Sequence, residues 1–492
     1  MIKRSTLPTF WLPLMLALGM AAFIGLAASV VGGPVTAFLF VPLLALVFVF
    51  RDYRFGVVCL AFLLPWSSSP LIPQARGLNV VNYLLIATVL SFGFRFLKVK
   101  FDFIVGPSSF FKYFILPLTV GWVVAMPHIG IAAGYFTGTE GAIGFQPLEF
   151  TKNWYIIPMG YVAFALLLAN AVKESKKPER FVILFLVAGV VPAIVVLILI
   201  QIYGASLTDL QGQRNFMRPI GMHANEMAAL LAFVVGPVIF VISTWKSIFS
   251  KMLNFLLVLV ILAAQLLTFS RGGLVATLVI LTIYIFQRRH ILLLLGGLIF
   301  MVLALLFAPP AFQDRWLTGV TEDAVQQSMG NLNDPLTAGR VAVWERLLPE
   351  VKKSPVWGRG VASTAWSDLV RSGVYKATHP HNMYLALLLD LGIVGLVLVA
   401  YWYRLLIRKQ LQLQQDPELS PVMRQFFAGS LAALAGVLVM NVTNGNYLPR
   451  PEYTFHWFSI GLVFAFWSVT RDQTLVKASS PRRVPRPWQL GR

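Results

Sequence analysis

The sequence predicts an all-α protein that crosses a membrane many times, and three observations carry that prediction. Of its 492 residues, 58% are hydrophobic and only 12% are charged, with a mean hydropathy of +0.75. A water-soluble domain carries about 25% charged residues. Runs of roughly 20 apolar residues, the length of a helix crossing the hydrocarbon, recur along the chain. A lipid-bathed segment must satisfy its backbone polar groups internally, which makes each run a helix.

Apolar runs place spans at 10–31, 35–50, 55–70, 78–96, 111–128, 154–172, 181–203, 222–243, 253–269, 272–287, 291–309, 383–403, 425–443 and 453–470. The short pairs at 35–70 and 272–309 are re-entrant or merged in a second reading, which sets the range at 12–14 transmembrane helices. Met1-Ile-Lys-Arg before an apolar run reads as a first, uncleaved span. The formal net charge is +20. Lys and Arg collect on the cytoplasmic side of membrane proteins, and here they alternate from loop to loop in favour of cytoplasmic termini. A nucleic-acid partner is disfavoured, because no basic patch lies on a soluble fold. Cys59 is the single cysteine, so an intramolecular disulfide is excluded.

Five regions follow. Residues 1–203 form an N-terminal transmembrane bundle, and 204–309 are spans joined by arginine-bearing outer turns. Residues 310–380 are one large outer loop subdomain, 381–470 are the C-terminal spans, and 471–492 are a basic, proline-rich cytoplasmic tail without regular structure. Within the loop, Val341, Trp344, Leu347, Leu348 and Val351 recur at helical spacing. Pro355-Val-Trp-Gly-Arg-Gly360 ends that helix in a turn.

Chemistry gathers at Thr378-His379-Pro380-His381-Asn382-Met383-Tyr384, where the polar loop meets an apolar helix. Ionisable groups at a membrane boundary are costly unless paired or used. On this topology His128, His223, His379, His381 and His456 lie on the outer side. His379 and His381 have no cysteine or carboxylate pair nearby in sequence, so a metal site is the weaker reading. No phosphate-cradling GxxxxGK[ST] loop exists. Energy for a reaction must therefore arrive in the substrate. Arg214, Arg218 and Arg271 stand at the outer face against the usual charge bias. Guanidinium grips phosphate oxygens in bidentate fashion, so an anionic headgroup such as a diphosphate fits them. The bland alternatives are snorkelling arginines and Asn382 as a helix N-cap.

These residues resemble a known family. His381-Asn382, nine residues, then Gly392-Ile-Val-Gly395 is similar to the H[NSQ]-x9-G-x-x-G pattern of bacterial O-antigen ligases and the related O-antigen and exopolysaccharide polymerases. Thr268-Phe-Ser-Arg-Gly-Gly looks like the family's Ser-Arg-Gly turn. Arg218-Pro-Ile-Gly-Met-His-Ala-Asn225 resembles its Arg-x-x-Gly…Asn element. Arg340-Val-Ala-Val-Trp…Ser354-Pro-Val-Trp-Gly-Arg-Gly360 resembles its outer-loop signature. The resemblance covers roughly 205–400.

It implies a GT-C-like, metal-independent, inverting glycosyltransferase of the bacterial inner membrane without a cofactor, its site facing the periplasm. The donor would be a glycan on undecaprenyl diphosphate, and membrane lipids would surround the carrier. The acceptor would be lipid A–core for a ligase or another lipid-linked glycan for a polymerase, and both remain open. His381 would be the general base. Arg271 and Arg218 would stabilise the departing diphosphate. Arg214, Arg340, Asn382, His379 and Asn225 would bind substrate. A lipid-glycan flippase or transporter is the alternative. Transporters often show repeats and midplane ionisable groups, whereas here the polar groups gather at one face.

Overall fold

The protein is described by a computed structural model covering residues 46–72, 74–75, 78–98, 103–136, 144–203, 216–242, 244–245, 247–288, 340–373, 375 and 378–467. The expected spans at 10–31 and 291–309, most of 35–50, much of the outer loop, the tail and Arg214 lie outside the described residues.

Helices occupy the remaining expected spans. They are α1 (Tyr53–Leu63), α2 (Val80–Lys98), α3 (Ser108–Tyr135), α4 (Pro147–Lys173), α5 (Glu179–Tyr203), α6 (Ala224–Ile242), α7 (Ile248–Leu267) and α8 (Arg271–Arg288). Then come α9 (Arg340–Lys353), in the segment expected from sequence to be the outer loop and so labelled below, α10 (Met383–Gln415), α11 (Pro421–Met440) and α12 (Thr454–Ala465). The fold is thus an all-α polytopic membrane protein. Among the described residues, eight helices are long and apolar enough to cross a membrane, and α1 and α8 are shorter apolar helices. A two-residue antiparallel pairing, with Gln74 opposite Asn79, precedes α2. Helix α10 runs beyond its expected end at 403, because Arg404, Arg408 and Lys409 continue a helix that no longer needs to be apolar.

Helix α11 sits at the centre, packed on α6, α8 and α10. It meets α6 backbone to backbone: a Cβ on Gly236 would strike the Gly429 carbonyl, and one on Gly429 would strike that of Gly236. In lipid, burial of apolar surface does not drive helices together, so close approach over small residues does. On the periphery, Ile248, Phe249, Met252, Phe255 and Leu256 of α7 point outward, as a lipid-facing helix requires.

Three contacts bring the starts of α6, α8 and α10 and the end of α11 to one end of the bundle. Ser270 Oγ, just before α8, donates to Asn225 Oδ1 of α6 at 2.7 Å. Gly272 lies against Met440. The Met383 N–H at the start of α10 donates to the Asn441 carbonyl at 2.9 Å. We call this the site end. At the opposite end Arg95 pairs with Glu174 at 2.8 Å.

Helix α10 is broken at Gly392, where φ is 66° and ψ is −171°. In an unbroken helix the N–H groups of 393 and 394 would bond the carbonyls of 389 and 390. Here the outer loop enters that gap and satisfies all four groups. Ile393 and Val394 donate to the carbonyls of Pro355 (2.9 Å) and Val356 (3.2 Å), while Arg359 and Gly360 donate to those of Leu389 and Asp390 (both 2.9 Å). The Gly358 and Gly392 α-carbons leave no room for a Cβ, since each faces the other strand's backbone. Asp390 completes the clasp. Its carboxyl accepts from the N–H groups of Ala362 (3.1 Å) and Ser363 (2.9 Å), from Ser363 Oγ (2.6 Å) and from the Tyr447 hydroxyl (2.8 Å). The two glycine-bearing motifs of the sequence are therefore halves of one clasp.

Gly392→Val should cost about 1–2 kcal/mol in backbone conformation alone, and the clash with the Val356 carbonyl adds to it. Thermal unfolding in detergent checks this: the expected outcome is a clearly lowered midpoint, and an unchanged midpoint would remove the clasp as a stability element.

Candidate active site

The site is built from the His379-Pro380-His381 turn, which the outer loop holds from above. The Trp344 indole N–H of α9 donates to the Pro380 carbonyl at 2.9 Å. The Tyr375 hydroxyl donates to the His379 carbonyl at 2.7 Å. His381 takes a left-handed conformation, φ 52°, which non-glycine residues adopt at a cost and often at functional positions. Next to it Asn382 caps α10, its Oδ1 accepting from the N–H groups of Tyr384 (2.9 Å) and Leu385 (3.0 Å). The cap occupies the oxygen that the sequence reading offers to substrate.

Helix α9 is itself anchored. Glu350, 3% exposed, pairs with Arg359 and with Lys353 and accepts the Asp368 N–H at 2.9 Å. The turn that carries the histidines is thus fixed both to the loop and to the broken helix.

The two imidazoles lie edge to face with centroids 4.3 Å apart. Burial pushes the His379 pKa down from 6.5 to about 4, and the charges of Arg450 and Arg340 and the nearby His223 add to that. His381 is likewise held well below its ordinary value, first by burial, then by His379, Arg340 and His223. Both rings are therefore neutral at physiological pH. The buried Nδ1 of His381 has no hydrogen-bond partner among the described residues. An unsatisfied buried polar atom is rare and calls for an explanation. Among the described residues, no three or more His, Cys, Asp or Glu side chains are arranged to hold a metal ion.

The arginine-bearing turns stand at the same end. His223 opens α6 as a capping residue: its Nδ1 accepts the Asn225 N–H (3.2 Å), and Glu226 Oε2 accepts the His223 N–H (2.8 Å). That reciprocal pattern is a capping box with an imidazole in place of the usual hydroxyl. Ser270 accepts the Gly273 N–H at 3.2 Å while bonding Asn225. This fastens the Arg218…Asn225 element to the Ser-Arg-Gly turn. Arg271 is half-buried at the start of α8 and Arg218 is exposed in a 3-10 turn.

Of the site residues expected from sequence, the structure brings His379, His381 and Arg340 into one electrostatic neighbourhood. It sets Arg271, Asn225 and Arg218 on the same end of the bundle, joined to the histidines by no hydrogen bond or ion pair among the described residues. Sequence reasoning missed Arg450, His223 as a neighbour of the turn, the half-buried Glu226 and the buried Glu452. Arg450 carried the signal that singled out Arg271, a lone cation in an otherwise charge-poor outer turn. His456, expected at the outer face, instead lies buried in α12 between Phe233 and Tyr403, because α12 begins at the site end but runs directly into the core.

With this geometry established, similarity to known proteins narrows the family. Residues 256–400 match the family described as O-Antigen ligase. This stretch of the chain is thus similar to O-antigen ligases. The matched stretch holds Arg271, Arg340, both halves of the clasp, and His379 to Asn382. A protein of Rickettsia felis named "Putative polysaccharide ligase" is 27% identical over 202 residues, 38% of this chain and 46% of that one. A similarly named protein of Rickettsia prowazekii is 24% identical over 270 residues, 51% of this chain and 59% of that one. The chain spans about half the length of these relatives. Arg218, Asn225 and Arg450 lie outside the matched family segment.

Because the folded histidines resist protonation, the unfolded chain binds protons first as pH falls. Stability contributed by the neutral rings is present above about 6.5 and is lost as pH drops toward 4. In 15N-histidine-labelled protein at pH 5.5, the ring nitrogens of His379 should still show the neutral signature. A protonated ring at that pH would contradict its burial.

Proposed function

We propose that the protein is a membrane glycosyltransferase that moves a glycan from undecaprenyl diphosphate to a sugar hydroxyl at the periplasmic face of a bacterial inner membrane. The observation that carries this reading is the neutral, largely buried His381 in a fixed turn near Arg340, within a segment that matches O-antigen ligases. The basic opposite end, with Arg95, Lys173 and Lys177, supports a cytoplasmic assignment for that side.

A sugar hydroxyl is a weak nucleophile and gains from a base that is unprotonated at working pH. Burial keeps the His381 imidazole in that form, and its unpartnered Nδ1 is consistent with a ring that lacks its catalytic partner until substrate arrives. As the glycosidic bond breaks, charge gathers on the diphosphate. Fixed cations stabilise that charge more in the transition state than in the ground state. Arg271 and Arg218 take this role, with Arg340 beside the histidines and Arg214 as a further contributor. Asn225 holds the two arginine turns together, and His379 packs His381 into place. Attack on the face opposite the diphosphate inverts the anomeric centre. The apolar spans hold the polyprenyl chain, and the outer loop covers the cavity.

The acceptor is lipid A–core for a ligase or a second lipid-linked glycan for a polymerase. Purified protein given lipid-linked donor and each acceptor in turn decides between them by which product gains mass. If labelled donor crosses vesicle membranes with no new glycosidic bond, the protein is a transporter instead.

His381→Ala should abolish transfer, by at least a hundredfold, at normal protein level in membranes. Full retained activity would move the base elsewhere. Arg271→Lys should lower transfer about tenfold, because lysine lacks the planar fork. An unaffected variant would exclude bidentate binding there. In kcat/KM the acid limb should lie below pH 6.5, the ordinary histidine value, and a limb at or above it would contradict a base held neutral by burial.

A further inference from the structure

Arg450 lies in the turn between α11 and α12, and the family match does not reach it. Its guanidinium sits over the Trp154 ring, 5.0 Å from the centroid. Trp154 ends a run of near-parallel rings through Phe150, Phe145 and Phe136, with centroids 5.9, 6.1 and 5.3 Å apart. The last three rings are buried, so the platform under Arg450 is rigid. Stacking uses the face of a guanidinium and leaves its N–H edges free for an anion. Among the described residues no ion pair occupies those edges.

The Arg450 charge is felt by His379 and by the buried Glu452 carboxyl. Burial, then the proximity of Glu226, pushes the Glu452 carboxyl up, so that it holds its proton. A protonated Glu452 carries no charge, so an approaching anion meets the Arg450 guanidinium near a neutral carboxylic acid. A cation stacked on a fixed ring is preorganised at no cost during the reaction. Outer turns elsewhere in the chain show nothing comparable in the described residues.

We propose that Arg450, positioned by its stack on Trp154, binds an oxygen of the donor diphosphate. The inference rests on the glycosyltransferase reading above and extends its anion grip to a segment beyond the matched family region. The guanidinium meets the diphosphate from the α11–α12 turn, while Arg271 and Arg218 approach it from the α6 and α8 turns. The diphosphate is thereby held from both sides of the histidine turn.

The test is direct binding, with no need for transfer. Full-length protein in phosphatidylcholine nanodiscs is titrated with undecaprenyl diphosphate, and Arg450→Gln is compared with the parent chain. The variant should bind at least tenfold more weakly while its thermal-unfolding midpoint stays within a few degrees. In turnover its donor KM should rise by a similar factor with kcat changed far less than in His381→Ala. Equal affinity in a folded Arg450→Gln overturns the inference and leaves the glycosyltransferase reading intact. Should that variant not fold, Arg450→Lys decides: a fivefold or greater loss supports the inference and an unchanged affinity overturns it. Failure of the parent chain to bind the diphosphate lipid overturns the glycosyltransferase reading itself. Competition by phosphatidylglycerol nanodiscs, lost to the same extent in Arg450→Gln, would make this a general lipid-headgroup site and overturn the assignment to the donor.

Discussion

The break in α10 at Gly392 is the constraint on which the site depends. A helix interrupted inside an apolar span frees backbone groups that lipid cannot satisfy, at about 1–3 kcal/mol for each unpaired one. The Pro355–Gly360 strand supplies the four missing partners. In doing so it ties the outer loop to the helix that carries His381. Without that strand the broken helix would expose its ladder.

The second ordering principle is electrostatic. Two imidazoles are kept neutral by burial among cations, and the buried Glu452 carboxyl feels the charge of Arg450. The charges of Arg340 and Arg450 thus act on the histidine turn from segments remote in sequence. The sharing of charge between segments far apart in sequence, 223–226, 271, 340, 379–381 and 450, explains why the outer turns must be registered against each other. The hydrogen bonds from Ser270 to Asn225, Met383 to Asn441 and Tyr447 to Asp390 do that registering.

The all-α membrane architecture was legible in sequence, because span length and hydropathy are local properties set by bilayer thickness. So were the histidine turn, the arginine turns and the helix at 340–353, each of which shows in composition or spacing. The amide cap by Asn382 was legible too, since a single residue type before an apolar run suffices to suggest it. The fit of Gly392 between the carbonyl of Val356 and the N–H of Gly358 was not. A glycine in an apolar run looks the same whether it permits helix crossing, as at Gly236 and Gly429, or a break.

Sequence by itself determined that this chain crosses a membrane, which turns carry charge, and that two histidines sit at a boundary, since these follow from residue type and local order. Only tertiary structure decided that Arg450 stacks on Trp154 and that two distant glycine motifs form one clasp. Both depend on which helix ends meet, and that is set by backbone-close packing of α11 against its neighbours across hundreds of residues of separation.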